Sequence, residues 1–307
     1  MTREHPLEPR LDRRTELRAD RLENQPTSVG RHRSGHLTDL RTEHAMDHRA
    51  EPHHAPVVLH REVVSLDIPL PPDVVWEHVR EPELIRRWYG WEREDLDEDI
   101  QRIFVEQAEV EHDRVPGTSI RRLRWHHHED LELRCRDQNP AHTLVTVHRA
   151  GRDLSVSFDG VRDVVDENWI SSLHQLHFAL TVHPGEERRT LSIHGLDAGP
   201  RLDPLMVRAG LHGARGVPIG GNVEASRPDG TRVGGTVVYR TDLQFGVWLH
   251  GIAESLLVIQ EVPVASHPPH GAVNAILSTY GLSAELLAEA RRRWAGWWDG
   301  AHRHHQS

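Results

Sequence analysis

The 307-residue sequence contains no lysine, and all 37 of its basic side chains are arginine. Schiff-base chemistry and lysine general bases are thereby excluded. So complete a replacement is the mark of a GC-rich genome rather than of a site. Cysteine is almost as scarce. Cys135 is the only one, which rules out an internal disulfide framework and a thiolate zinc cluster. Long apolar runs are missing as well. Nothing near the N-terminus has the apolar core of a signal peptide. The most apolar stretch, Gly246 to Ala265, is broken by His250, Glu254, Gln260 and Glu261. No membrane span is expected, and the chain reads as cytoplasmic. Basic residues are outnumbered by acids, for a formal charge of −10 with neutral histidines. That balance argues against a nucleic-acid-binding surface.

Catalytic signatures are equally thin. There is no GxSxG elbow, and Cys135 sits mid-strand on an apolar face, so no nucleophile stands out. The glycines from Gly213 to Gly221 match neither GxGxxG nor GxxxxGK[ST] and follow a helical pattern rather than a strand, so they carry no nucleotide signal. No cofactor is expected.

What is present divides along the chain. Hydrophobic residues make up 37% and mean hydropathy is −0.60, values low enough to expect that part of the chain lacks a core. Residues 1–55 hold arginines, acids and histidines in cancelling charge, with no aromatic residue and no period. They read as a disordered tail. Alternation begins at Val64, Leu66 and Ile68, a half-buried strand. Pro72 and Pro82 then each open a short helix, Val75, Trp76 and Val79 sharing one face and Leu84, Ile85 and Trp88 the next, with Gly90 as the left-handed stop. Gly117 to Trp125, the Leu131–Leu133–Cys135 alternation, Val145 and Val147, and Leu154, Val156 and Phe158 describe an antiparallel meander with one wet face. Trp169, Leu173, Leu176 and Leu180 then recur at helical spacing.

That order, the segment "PPDVVWEHVREPELIRRWYG" and the strand "TLVTVHRAG" before a long helix resemble the activator of heat-shock protein 90 ATPase-like branch of the SRPBCC (START-like) superfamily. The resemblance covers roughly residues 57–185 and departs at Glu92–Asp99, where an acidic run replaces a glycine-rich turn. It implies an α+β helix-grip domain over residues 56–196, a curved antiparallel sheet around a long helix with two short helices in a V. Bacterial members carry C-terminal extensions, and residues 197–300 are expected to form a small α+β unit of that kind. The linker "DAGPRLDP" leads into it. Three short strands, "GGTVVYRT", "FGVWLH" and "ESLLVIQEV", follow. A closing helix is capped by Ser283, with Leu286, Leu287, Ala290, Trp294, Trp297 and Trp298 on one side. Residues 301–307 read as a frayed end.

Three polar clusters invite chemistry. "WHHHED", residues 125–130, has metal-ligand residue types. Consecutive strand residues face opposite ways, however, so a solvated hairpin turn is the reading and no metal is expected. His174 and His177 lie one turn apart on the long helix, His177 beside the apolar stripe, where a cavity base or ligand contact would sit. Asp159, Asp163, Asp166 and Glu167 precede or open that helix and read as caps and dipole partners rather than as an acid/base pair. Tryptophan is the abundant aromatic, nine against four Phe and three Tyr. The combined expectation is a binding protein for a hydrophobic small molecule held between sheet and long helix by Trp88, Trp125, Phe158, Trp169, Leu173 and His177. The resemblance also implies two alternatives: a polyketide cyclase-like enzyme using cavity histidines or acids, and a chaperone-associated or regulatory module with a protein partner.

Overall fold

In the computed structural model, residues 60–126, 129–150, 164–251 and 253–302 are described. Their order repeats one plan twice. The first strand, β1 (His60–Ile68), is followed by α1 (Pro72–Arg80) and α2 (Pro82–Ile85), each with a proline at its first position. Pro72 and Pro82 pre-set the helical backbone angle, and α1 ends at an extended Glu81 that precedes Pro82. Gly90 then takes φ +61°, and a Cβ added there would collide with Leu96 at 2.8 Å. The acidic run beyond it forms α3 (Leu96–Ile100), continued by a π-helical turn over Gln101–Glu106. Arginines neutralise it: Arg86 pairs with Glu92 and Asp97, and Arg93 and Arg102 with Asp99.

Four antiparallel strands complete the first sheet: β2 (Glu109–Val115), β3 (Thr118–Trp125), β4 (Glu129–Arg136) and β5 (Thr143–Ala150). The spatial order is β1-β5-β4-β3-β2, so the first strand pairs with the last. The expected hairpin at "WHHHED" joins β3 to β4; His127 and His128 lie outside the described residues. So do Leu154, Val156, Phe158, Asp159 and Asp163. Along β4, Leu131 and Leu133 turn inward, while Glu132 on the outer face is bracketed by Arg122 and Arg134, both at 2.7 Å. The expected wet face is there, tiled with ion pairs. Helix α4 (Val164–Thr181) crosses the dry face.

The chain then enters β6 (Arg188–Asp197), most of which falls inside the expected 56–196 domain. It pairs along nearly its whole length with β11 (Ala272–Tyr280). After α5 (Leu205–Arg208) come β7 (Asn222–Ser226), β8 (Arg232–Arg240), β9 (Gln244–Leu249) and β10 (Ser255–Val262), then β11 and α6 (Ala284–His302). The second sheet has the order β6-β11-β10-β9-β8-β7. Again the first strand pairs with the last, and again a long helix follows. The fold is α+β of the helix-grip kind, written twice.

Sharing of α4 decides how the halves meet. Buried residues of the first sheet, of α4, and Tyr239, Leu256, Val258 and Tyr280 of the second sheet form one continuous core. The opposite face of the second sheet, with Phe245, Val247, Leu257, Ile259, Val273 and Ala275, packs against the tryptophans of α6. The layers run sheet, α4, sheet, α6. A sheet covered on both faces needs strands apolar at every position, which is why "SLLVI" at the start of β10 is buried without interruption. Polar ties fasten the shared helix. Glu167, 1% exposed, accepts from Thr241 Oγ1 at 2.7 Å, and its carbonyl accepts from Gln244 Nε2 at 2.6 Å. Tyr280 donates to the Arg87 carbonyl at 3.1 Å. No helix among the described residues is long and apolar enough to cross a membrane.

Candidate functional site

The expected site lies between the first sheet and α4, and its aromatic residues do meet there. Trp88, Phe104, Trp125 and Trp169 form a chain of ring contacts with centroid spacings of 5.7, 5.8 and 5.4 Å. Every indole in it has an acceptor. Trp88 Nε1 donates to the His78 carbonyl at 2.8 Å, Trp125 Nε1 to the Ile103 carbonyl at 2.7 Å, and Trp169 Nε1 reaches Glu129 at 3.4 Å. Leu173 is fully buried beneath them. Each fully buried tryptophan contributes roughly 4–6 kcal/mol of gross hydrophobic stabilisation, at about 25 cal/mol per Å² over some 150–250 Å². These residues fill the space between sheet and helix.

One end of this interface is closed by charge. Asp166, on the first turn of α4 and 1% exposed, pairs with Arg61 at 2.5 Å and Arg149 at 2.6 Å, and Arg149 also holds Glu129 at 2.9 Å. An acid at a helix start meets the positive end of the dipole, and two guanidiniums leave its buried charge compensated. Asp166 and Glu167 are both engaged in contacts that tie α4 to the two sheets.

The histidines of α4 separate. His174 stacks on Tyr239 of the second sheet with centroids 4.1 Å apart and rings within 9° of parallel. Burial pushes its imidazole down to about 3, with His177 nearby acting in the same direction. It is a neutral aromatic wedge between α4 and the second sheet. His177 is half-buried, lowered by burial and partly opposed by Asp67 of β1. Its Nδ1 lies 3.5 Å from Thr181 Oγ1. It stands at the border of the stripe, apart from the tryptophan chain. Among the described residues no group of three histidine, cysteine or acidic side chains could hold a metal ion.

The second half is built differently. A cavity of about 310 Å³ lies between the second sheet and α6. Its apolar walls come from Val233, Leu249 and Leu277 on the sheet and from Leu282, Leu286, Ala290, Trp294 and Trp297 on the helix side. Helix α6 explains the space. Its buried residues, Trp294, Trp297, Trp298 and Ala301, all lie in its C-terminal part, while Leu286 in its first turns remains 41% exposed. Trp297 Nε1 donates to the Ala209 carbonyl at 2.9 Å and Arg208 Nε to the Ala301 carbonyl at 2.7 Å, tying that end to α5. The N-terminal turns, capped by Ser283 as expected, meet the core only through the partly buried Leu287 and Ala290. Gly234 adds room below them, since a Cβ built there meets nothing within 4 Å.

Polar groups gather round this cavity. Arg227, Arg232 and Arg293 face one acid, Glu289. Arg232 pairs with Glu224 at 2.8 Å, and Arg293 with Glu289 at 2.7 Å. His250 Nε2 and Thr236 Oγ1 are 2.8 Å apart. The sequence shows the strand "GGTVVYRT" and the α6 tryptophans, but nothing local joins them. The signal was the placement of all three α6 tryptophans in its C-terminal half, which leaves leucines and alanines as the only apolar residues in the first turns. A smaller crevice of about 220 Å³ lies on the other face of the second sheet, lined with α4 by amides such as Gln175, Gln260 and Asn274.

No protein-family model matches the chain, and no curated protein matches it. Solved structures overlap with it at low identity. The di-domain aromatase/cyclase BexL of the BE-7585A biosynthetic pathway is 11% identical, over 80% of this chain and 99% of that one, with a TM-score of 0.26. The di-domain aromatase/cyclase StfQ of the steffimycin pathway is 13% identical over 79% and 95%, with a TM-score of 0.24. DynU16 of the dynemicin biosynthetic locus is 15% identical over 79% and 96%, with a TM-score of 0.23. The helix-grip assignment rests on the strand order and helix packing described above.

Proposed function

We propose that this protein binds a small, largely apolar organic molecule between its second sheet and α6. The carrying observation is the cavity of about 310 Å³ under the first turns of α6. It is walled by leucine and tryptophan, and its size is at the lower end of the range for ligand sites. An apolar cavity of on the order of 150 Å³ accommodates one benzene ring, so the space suits two fused rings. The ligand would lie between a sheet and a long helix, as expected, but in the second half and not the first. Naphthalene-2-carboxamide, a neutral two-ring probe, should bind the full chain in equilibrium dialysis, and Gly234→Phe, which places a ring in the cavity, should abolish that binding. Absence of binding up to the solubility limit of the probe would refute the proposal.

A cyclase-like activity is the second reading. It would draw on His250 and Glu289, the histidine and the acid that line the cavity. Glu289, held low by Arg293 and Arg292, is an ionised partner of arginine rather than a poised acid. Binding is therefore the stronger reading. A chaperone or other protein partner remains what the sequence resemblance alone implies.

A further inference from the structure

We propose that the ligand of the α6 cavity is an organic acid, with its carboxylate paired to Arg227; this inference rests on the cavity being a binding site. Three guanidiniums line the cavity against one carboxylate. Two of the three are accounted for, Arg232 by Glu224 and Arg293 by Glu289. Arg227 has no carboxylate within ion-pair distance among the described residues. Its guanidinium lies 5.0 Å from the centroid of the Trp297 ring, and its Nη1 donates to Thr231 Oγ1 at 3.3 Å.

The guanidinium lies against the Trp297 ring at the cavity wall, and a guanidinium can recognise a carboxylate at two points. The cost of leaving it unpaired is visible. Burial pushes the guanidinium below its ordinary value, Asp229 partly offsets this, and Arg293 adds repulsion. A neutral apolar ligand would leave the charge of Arg227 unanswered, whereas a carboxylate supplies the missing counter-charge. Apolar walls and one unpaired cation define an amphipathic acid with a body of about two rings.

The test compares 2-naphthoate with naphthalene-2-carboxamide, which share size and shape and differ in charge, by equilibrium dialysis against the full chain. The wild-type protein is expected to hold the carboxylate about tenfold more tightly, and added salt should narrow that gap. Arg227→Gln should remove the preference, lowering affinity for the carboxylate about tenfold more than affinity for the carboxamide. Arg232→Gln, whose arginine is already paired, should keep the preference. Equal affinity for the two probes in the wild type would overturn the assignment of an acid and leave the cavity reading standing. An equal loss in both variants would overturn the role of Arg227, indicating a diffuse cationic rim. Failure of both probes to bind would overturn this inference together with the proposed function.

Discussion

The two halves of this molecule follow the same strand order and treat the space under the long helix in opposite ways. In the first, α4 lies close along β1, and four large aromatic rings fill the interface. In the second, α6 is anchored in its C-terminal half by Trp294, Trp297 and Trp298, and its first turns are only partly buried. The cause is where the bulky residues fall along each helix. On α4, Trp169, Leu173, Leu176 and Leu180 are spaced along its length. On α6 they are crowded into one end, and the other carries Ala284, Ala288 and Ala290 with two leucines. A gripped helix held along its length makes a core; held at one end, it leaves a pocket. The comparison extends to the sheets. The first has one face on solvent tiled by Arg–Glu pairs, while the second has helices on both faces.

The largest expected effect tests whether the first half is filled. Leu173→Arg should abolish cooperative folding, because a fully buried leucine would be replaced by an unpaired charge. A folded variant by circular dichroism would show that hidden space exists there after all. Milder truncations sharpen the contrast. Leu173→Ala should cost about 2–5 kcal/mol in denaturant unfolding. Leu286→Ala, at a residue 41% exposed on the loose end of α6, should cost under about 1 kcal/mol. Equal costs would mean that the two long helices are packed alike.

The seam between the halves has its own signature in pH. His174, with a folded-state value of about 3 against 6.5 when exposed, takes up a proton more readily in the unfolded chain. Stability should therefore hold above pH 6.5 and fall as pH drops from about 6.5 towards 3. The loss approaches about 1.4 kcal/mol per pH unit inside that window. His177, also lowered, acts in the same sense, whereas His148, raised chiefly by its hydrogen bond to Asp130, acts in the opposite one. His174→Phe should flatten the slope measured by urea unfolding between pH 6.5 and 5. An unchanged slope would place the acid sensitivity elsewhere.

The smallest stability effect is expected at the cavity itself. Gly234→Phe should move the melting temperature by no more than a couple of degrees, since the new side chain enters open space and the backbone there needs no positive φ. A large loss of stability would mean that the second half is as tightly packed as the first.

Much of the first half was legible in the sequence. Pro72, Pro82 and Gly90 punctuate the backbone by covalent geometry, and the alternation of Leu131, Leu133 and Cys135 or the stripe on α4 follows from the repeat of strand and helix. Such features are local, so a sequence carries them whatever lies opposite. β6 escaped notice because it pairs with β11, whose residues lie some eighty positions away, and because a bulge at Ile193 to Leu196 breaks its alternation. The same limit governs the site. Trp88, Trp125, Trp169 and Leu173 share one interior, but sequence cannot say whether an interior is full. Whether rings interlock or leave a gap depends on the distance between helix and sheet. That distance is set by every side chain between them at once, and only the tertiary structure decides it.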